Sequence, residues 1–416
     1  MKAGDFKSVH HQLDLIVRSE RGRLVGGLVR YLGGSRLDLA EDVAQEAILK
    51  AIAVWPYQGI PDNPRAWLTR VARNKAIDRL RREGREVTLP DNEEQAAPAD
   101  ETLLNPVPDE ELQLICLCCH PELKELDQLA LTVKIVSGFT AREVARVFLI
   151  AESSLAQRLV RSKRRLRTLR RRVDEPLSAF EVRARLDTVL KVVYLMFALA
   201  YAPRAGHDLI LRDLAGEAVR LARELARGKL TATPEAHALA ALLCLQASRF
   251  DARQDQHGDV VLLKDQNRAL WDRGLIDAGL RHLAQSTSAG AVTRYHLEAG
   301  IAAAHATAPA WDQTDWHAIV QYYRLLEEQT DSPVVKINAS VAQALAGDGL
   351  GALRRLDSLR GESNLQNYGP FHIARAEVLH RLERLDEAAL AFDLAISCGV
   401  STPVERLLER RLATCL

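Results

Sequence analysis

The chain has 416 residues, 47% hydrophobic and 27% charged, an ordinary globular balance in a length that holds two to four domains at roughly 150 residues each. The formal net charge is only +1, so the whole-chain charge points to no partner, and six Cys in this length do not make a disulfide framework. Aromatic residues are 5% while Ala, Leu and Arg abound, which favours helix over strand. In chain order, residues 1 to 86 read as helices with one Pro- and Gly-rich break from Trp55 to Pro64. Leu39 to Ile52 places Ala40, Val43, Ala47 and Ala51 on a core side, with Asp42, Gln45, Glu46 and Leu49 clustered opposite. An exposed Leu among acids suits protein docking, although an ordinary solvated face fits this segment better when it is taken alone. Asn63-Pro64 then opens a helix with Trp67, Leu68, Val71 and Ala72 as its apolar stripe and Arg70, Arg73, Asn74 and Arg81 on another face, partly interrupted by Ile77. Trp, Asn and several Arg suit a strand with unstacked bases; a bland amphipathic helix fits about as well.

Charge is distributed unevenly. Arg65 to Arg85 holds eight basic and two acidic residues, Glu86 to Glu111 nine acidic and no basic, and Arg158 to Arg172 nine basic and no acidic, which suggests a polyanion held at two places around an acidic spacer. The stretch 87–111, with Pro90, Pro98, Pro106 and Pro108, has the composition of a linker. Residues 112 to 172 read as helical. Thr140 caps a short helix, Ala141 to Phe148, with Glu143 closing a capping box; Leu149 to Glu152 make a turn, and Ser153 caps a second helix. On that second helix Leu155, Leu159, Ser162 and Leu166 share an arc of about 60°, and Ser153, Ser154, Gln157, Arg158, Arg161, Arg164 and Arg165 another of about 140°, at 100° per residue. This is the pattern of a helix-turn-helix whose second helix offers hydroxyl, amide and guanidinium groups to base edges and phosphates in a major groove. A solvated charged helix is the competing reading, and the lack of any acid from Gln157 to Arg172 weighs against it.

Residues 177 to 416 read as helix after helix. Ile319, Tyr323, Leu326, then Ala352, Leu356, Leu359, then Ala388, Phe392, Ala395 repeat the same +4, +7 spacing at starts 33 and 36 residues apart, near the period of about 34 of tetratricopeptide repeats. In the last copy Ala376, Leu379 and Leu385 also fall at the expected offsets; generic helical hairpins remain the alternative. Cys116, Cys118, Cys119 and His120 lack the usual paired spacing of a metal site and read as buried structural residues. His10, His11, His282, His296 and His305 stand isolated, and no phosphate loop, nucleophile elbow or metalloprotease motif is found, so neither catalysis nor a cofactor is expected. Met1 to Gln12 lacks an apolar signal segment, and the longest apolar run, Val192 to Ala202, is 11 residues where a membrane span needs about 20. The expectation is a soluble, reducing, cytoplasmic protein with no membrane partner.

Ala40 to Glu46, then Asn63-Pro64-Arg65-Ala66-Trp67-Leu68, then Val71 to Arg82 resemble region 2 of bacterial extracytoplasmic-function sigma factors, and the segment 140–167 resembles their region 4, in the right order and spacing across residues 1 to about 172. The long tail, with Ile115 to Leu123, is similar to a subgroup bearing a tetratricopeptide-like C-terminal extension. The resemblance implies an all-α protein: region 2 at 1–86, the acidic linker at 87–111, region 4 at 112–175, and a helical extension at 176–416 that is tetratricopeptide-like from about 300. It implies that Asp42, Gln45, Glu46 and Leu49 dock on the β′ clamp helices of core RNA polymerase, with region 4 at the β flap. Trp67, Arg70, Arg73, Asn74, Lys75, Arg79, Arg81 and Arg82 would contact the −10 element, and the loop Tyr57 to Ala66 would cover a flipped-out base, though few aromatics line it. Ser153, Ser154, Gln157, Arg158, Arg161, Arg164 and Arg165 would read the −35 element. The acidic linker would either space the two domains or occupy a basic channel of the enzyme. The tail, with 27 basic and 29 acidic residues, would bind a regulatory protein or peptide rather than nucleic acid. The alternative is a helix-turn-helix regulator with a helical-repeat interaction domain and no sigma activity.

Overall fold

The structure, a computed structural model, describes residues 3–82, 107, 109–148, 150–169, 177–201, 210–287, 290–362 and 365–415. Among these the chain is all-α, with eighteen α-helices and no strand beyond one isolated bridge between Gln254 and Val260. It divides into two compact units: 1–196 with 227–232, and 197–226 with 233–416.

The first unit begins with α1 (Ala3–Leu32), α2 (Leu37–Gln58) and α3 (Pro64–Arg82). Their core is built from Leu24, Val25 and Leu28 of α1, Ala40, Val43, Ala44, Ala47 and Ala51 of α2, and Leu68, Ala72, Ala76 and Leu80 of α3. Small Ala side chains spaced at three and four residues let the backbones approach closely, and the alternation with Leu and Val fills the gaps between them. The break expected at Trp55–Pro64 is shorter: α2 runs on through Trp55 and Pro56 to Gln58, and the chain turns only at Gly59, whose φ of +83° suits glycine. Trp55 extends the helix because its ring is 2% exposed, buried in the core. Pro64 occupies the first turn of α3, and Asn63 Oδ1 accepts the Ala66 N–H at 3.0 Å.

The same unit continues with α4 (Glu110–Cys118), α5 (Glu125–Val136), α6 (Ala141–Val147), α7 (Glu152–Thr168) and most of α8 (Ala179–Tyr201). Of the linker stretch, 87–106 and 108 lie outside the described residues, but its end is helical. The Asp109 carboxylate accepts from Glu111 N at 3.0 Å and Leu112 N at 2.9 Å, so Asp109–Glu111 cap and open α4. Cys116, Cys118 and Cys119 are buried although they leave the helix on different sides, because α4 is enclosed all round. Burial pushes the Cys116 thiol up to about 12 and raises those of Cys118 and Cys119 as well. The α6 capping box is formed: Glu143 N–H donates to Thr140 Oγ1 at 3.2 Å and Thr140 N–H donates to the Glu143 carboxylate at 2.6 Å. Ser153 does not cap α7. The N-cap is Ala151, two residues earlier, so the helix begins at Glu152, where a carboxylate meets the positive helix end.

The second unit is centred on α10 (Pro234–Ala247), apolar on nearly every side, with α11 (Arg273–Ser286) and α12 (Arg294–Thr307) against it and α9 (Arg212–Arg227) before it. A Cβ at Gly279 of α11 would sit 2.6 Å from Leu245 Cγ, so that contact requires glycine. Between α10 and α11 the succession of α-helices is interrupted by a longer connection. Asp255 Oδ1 accepts from His257 N at 2.8 Å and Asp259 N at 3.0 Å, a local side-chain turn that competes with helix, and three 3₁₀ turns follow or flank it. From α13 (Trp316–Gln329) the chain alternates through α14 (Pro333–Leu345), α15 (Gly349–Ser358), α16 (Gly369–Arg381), α17 (Leu385–Ser397) and α18 (Thr402–Ala413). Leu356, Leu379, Ala388, Phe392 and Ala395 share one core there, whereas Leu385 stands exposed. No helix among the described residues is long and apolar enough to cross a membrane.

Candidate nucleic-acid and protein interface

Burial of Ala40, Val43, Ala47 and Ala51 turns the opposite side of α2 outward. Asp42, Gln45 and Leu49 are exposed there, Leu49 at 56%, and Glu46 is half-buried. The acids of this face are held by α3. Glu46 accepts from Lys75 at 3.2 Å and pairs with Arg79, and Arg79 also reaches Asp42 at 3.3 Å. The donated hydrogen bonds of Arg79 and then Lys75 hold the Glu46 carboxyl below its ordinary range, and Glu46 in turn raises Arg79. Two residues expected at the −10 element, Lys75 and Arg79, thus pair with two of the acids expected to dock, Glu46 and Asp42. Arg70, Arg73, Asn74, Arg81 and Arg82 lie exposed along α3. Trp67 is half-buried, edge-on to Trp55 with ring centroids 5.2 Å apart, which fixes its ring on the protein. Tyr57, 78% exposed, stands at the end of α2 beside the 59–63 turn.

On α7 the core stripe holds as expected: Leu155, Ser162 and Leu166 are buried and Leu159 half-buried. Ser153, Ser154, Gln157, Arg161 and Arg164 are exposed together on the other side. The flanks of that face are tethered. Arg158 pairs with Asp127 at 2.8 Å, and Arg165 with Glu122 at 2.6 Å. Val160, 67% exposed, lies among Gln157, Arg161 and Arg164 at helical spacing, and a sequence search for polar groups alone passed over it. Sequence reasoning also missed Asp38, Glu41, Lys163 and Arg167. Lys163 Nζ meets Glu41 at 2.5 Å and Asp38 at 3.8 Å, and Arg167 meets Asp38 at 2.5 Å. The i, i+4 spacing of Lys163 and Arg167, on the edge of α7 outside the polar arc, was the available signal.

The second unit carries a groove of about 390 Å³ between α12 and α13, lined among others by Gly300, Thr307, Gln313, Asp315 and Tyr322. A Cβ at Gly300 would lie 2.8 Å from Tyr322 Cζ, so glycine there admits the Tyr ring. No group of three or more His, Cys, Asp or Glu placed to hold a metal ion occurs among the described residues.

Of these surfaces, the one on α2 and α3 falls within a family match. Residues 16–86, which span α2, α3 and most of α1, match sigma-70 region 2, and residues 185–287 match a family of unknown function (DUF6596). The ECF RNA polymerase sigma factor SigM of Bacillus subtilis (strain 168) is 29% identical over 132 residues, 32% of this chain and 79% of that protein. The uncharacterized protein R00370 of Rhizobium meliloti (strain 1021) is 38% identical over 396 residues, 94% of this chain and 92% of its own length. No solved structure matches the chain. The chain therefore belongs to one family with the Rhizobium meliloti protein, and its sigma-70 region 2 match supports a sigma factor.

Proposed function

We propose that the protein is an RNA polymerase sigma factor of the extracytoplasmic-function type, cytoplasmic and without catalysis of its own. It binds core polymerase, recognises −10 and −35 promoter elements and promotes strand opening. The observation that carries this reading is one compact unit in which the region 2 match lies on α1–α3 and α7 exposes Ser153, Ser154, Gln157, Arg161 and Arg164. In this reading α6 and α7 are a helix-turn-helix, and α7 enters the major groove at the −35 element. Asp42, Gln45, Glu46 and Leu49 dock on the β′ clamp, and region 4 meets the β flap. Arg70, Arg73, Asn74, Arg81 and Arg82 meet the −10 element first, and Lys75 and Arg79 join once their acids are engaged elsewhere. Trp67 supports that surface from its seat on Trp55. Opening needs no hydrolysis, because contacts with extruded bases replace stacking worth a few kcal/mol per base. The C-terminal helices, read as tetratricopeptide-like, regulate activity through a protein or peptide seated on their surface, with the α12–α13 groove as its entry point.

Run-off transcription with purified core polymerase and a promoter library tests this. Promoter-dependent RNA is the expected result. Duplex binding without any promoter-dependent RNA would instead favour a helix-turn-helix regulator. Removing the tail near Pro176 tests its role: an initiation level and promoter choice equal to the full chain would remove the regulatory reading.

A further inference from the structure

In the second unit the connection between α10 and α11 ends in the run Asn267 to Arg273, which puts three donor side chains beside one another. Asn267 Oδ1 accepts from Ala269 N at 3.0 Å and opens a 3₁₀ turn, Arg268–Leu270. Asp272 N–H donates to Ser248 O at 2.8 Å, and the Asp272 carboxylate accepts from Leu275 N at 3.0 Å, capping α11. Both ends of the run are thereby fixed. Arg268, Trp271 and Arg273 line a pocket of about 230 Å³ together with Ala306, Thr307, Ala308 and Pro309 at the end of α12. Arg268 reaches that helix end directly, because its Nη1 donates to His305 O and Ala308 O, both at 2.7 Å.

The charge that acts on this pocket is of one sign. Burial first, and then Arg249 and Arg273, make the Arg268 guanidinium give up its proton more readily, and no carboxylate offsets them. Arg268 and Arg249 also stand over the Trp271 ring, 4.5 and 5.9 Å from its centre. Asp272, the acid between Trp271 and Arg273 in the chain, is committed to the α11 cap. His305 adds no charge, because burial and the same Arg249 and Arg268 push its imidazole down to about 4 and so keep it neutral. Donors are left over as well. Trp271 is 3% exposed, and among the described residues neither its Nε1 nor Arg268 Nη2 has a hydrogen-bond partner. A buried donor without an acceptor is costly, and an acceptor seated in the pocket relieves both the unmet donors and the repulsion among the guanidiniums.

We infer that this pocket binds a small carboxylic acid, its carboxylate held by Arg268 and Arg273 and by the indole N–H of Trp271. Size and charge set the class. About 230 Å³ is below the roughly 300–1,000 Å³ of ordinary ligand sites, so the pocket takes a compact molecule. Guanidinium forks match a planar carboxylate, with two parallel N–H donors to its two oxygens. The end of α12 in the wall carries the negative pole of that helix, which opposes a doubly charged phosphate more than a single carboxylate. Thr307, Ala308 and Pro309 border both this pocket and the α12–α13 groove, so the acid and anything seated in the groove share a wall. The inference does not depend on the sigma reading, since every residue of the site lies in the second unit.

Saturation-transfer NMR of the full chain with acetate at constant ionic strength tests this through the methyl protons of the probe. Acetamide, the uncharged molecule of the same shape, is the control. The expected result is a saturable acetate signal with a Kd of about 1–10 mM, as suits so small a molecule, and no saturable signal from acetamide. Arg273→Gln removes one guanidinium at an exposed position and is expected to weaken acetate about tenfold while the thermal melt stays that of the wild type. Trp271→Phe keeps a ring and loses the N–H, and Arg273→Lys keeps the charge and loses the fork; each is expected to weaken acetate less than Arg273→Gln does. No saturable acetate signal in the wild type overturns the inference. So does an equal signal from acetamide, and so does an acetate Kd unchanged in both Arg273→Gln and Trp271→Phe. Inorganic phosphate that displaces acetate with a lower Kd than acetate's own overturns the carboxylate class. Trialanine bound at least tenfold more tightly than acetate gives the pocket to the end of a peptide chain and overturns the small acid.

Discussion

Under the proposed function, Glu46 is the point at which the docking face and the −10 surface compete for the same charges. It holds Lys75 at 3.2 Å and Arg79 by a charge-assisted hydrogen bond, while Arg79 keeps a second, more exposed partner in Asp42. Glu46→Ala releases Lys75 and leaves Arg79 only Asp42. Each cation that then reaches a phosphate displaces a condensed counterion, with a slope of about −0.7 per phosphate on single strands. Lys75 alone therefore steepens log K against log salt by about 0.7, and by up to about 1.4 if Arg79 also leaves Asp42 for a phosphate. The cost to the fold is small, because exposed ion pairs are worth only about 0.2–1 kcal/mol each. Fluorescence anisotropy of the full chain with a labelled single-stranded oligonucleotide, repeated from about 50 to 200 mM KCl, reads the slope. Gln45→Ala is the control: Gln45 is exposed on the same face and carries no charge. Glu46→Ala is expected to bind more tightly at low salt with a steeper slope, and Gln45→Ala to leave the slope unchanged. Equal slopes for Glu46→Ala and wild type would refute the claim that Lys75 and Arg79 are nucleic-acid cations held in reserve.

On α7, Arg161→Ala is expected to cost about 1–3 kcal/mol of −35 duplex binding, and Arg158→Ala less, because Asp127 already holds Arg158 at 2.8 Å; equal losses in duplex titrations would count against this division. In the second unit, Phe392→Ala empties the centre of the C-terminal core and should cost about 3–5 kcal/mol in urea unfolding. Burial, with Arg249 and Arg268 nearby, pushes the His305 imidazole down to about 4, against about 6.5 in an unfolded chain. The folded state thus binds fewer protons between these values, so the contribution of His305 is fully present above about 6.5 and is lost as pH falls toward 4. His305→Gln should flatten the pH dependence of unfolding across that window, and an unchanged profile would show that the imidazole is not the responsible group.

The local signals were legible wherever one helix settles its own geometry. The Ala40, Val43, Ala47, Ala51 stripe, the Asn63 cap and the Thr140–Glu143 box each depend on residues within about three turns of one another, and each is formed. Neighbouring packing decided what sequence could not. Trp55 lengthens α2 because the core buries its ring, and the acids at Asp109–Glu111 read as linker because their helix is fixed by an N-cap and by arginines from α1. Gly22 and Gly26 look like helix-weakening residues in isolation and acquire meaning only when α4 lies against them. The same holds for the site. The exposed Ser153–Arg164 face of α7 follows from periodicity, whereas the capture of Lys75, Arg79 and Arg158 by distant acids does not.

The acids of α2 explain how those distant pairs act together. At 100° per residue, Glu41, Gln45, Asp38, Leu49, Asp42 and Glu46 follow one another around a single arc of about 140°. Glu41 and Asp38 toward one side meet Lys163 and Arg167 of α7, and Asp42 and Glu46 toward the other meet Lys75 and Arg79 of α3. Gln45 and Leu49 lie within the arc. A partner that docks on Leu49 and Gln45 therefore presses on both sets of pairs at once: it draws Asp42 and Glu46 from α3 and crowds the edge that α7 occupies. Under the proposed function, polymerase docking would free −10 cations and loosen region 4 in one event. Linkage then requires the converse by the same factor, so promoter DNA must raise the affinity for polymerase as much as polymerase raises the affinity for DNA. Asp38→Lys opposes Lys163 and Arg167 before any partner binds, so under the proposed function it should shrink the share of this coupling that comes from region 4 and leave the α3 share, carried by Glu46, in place.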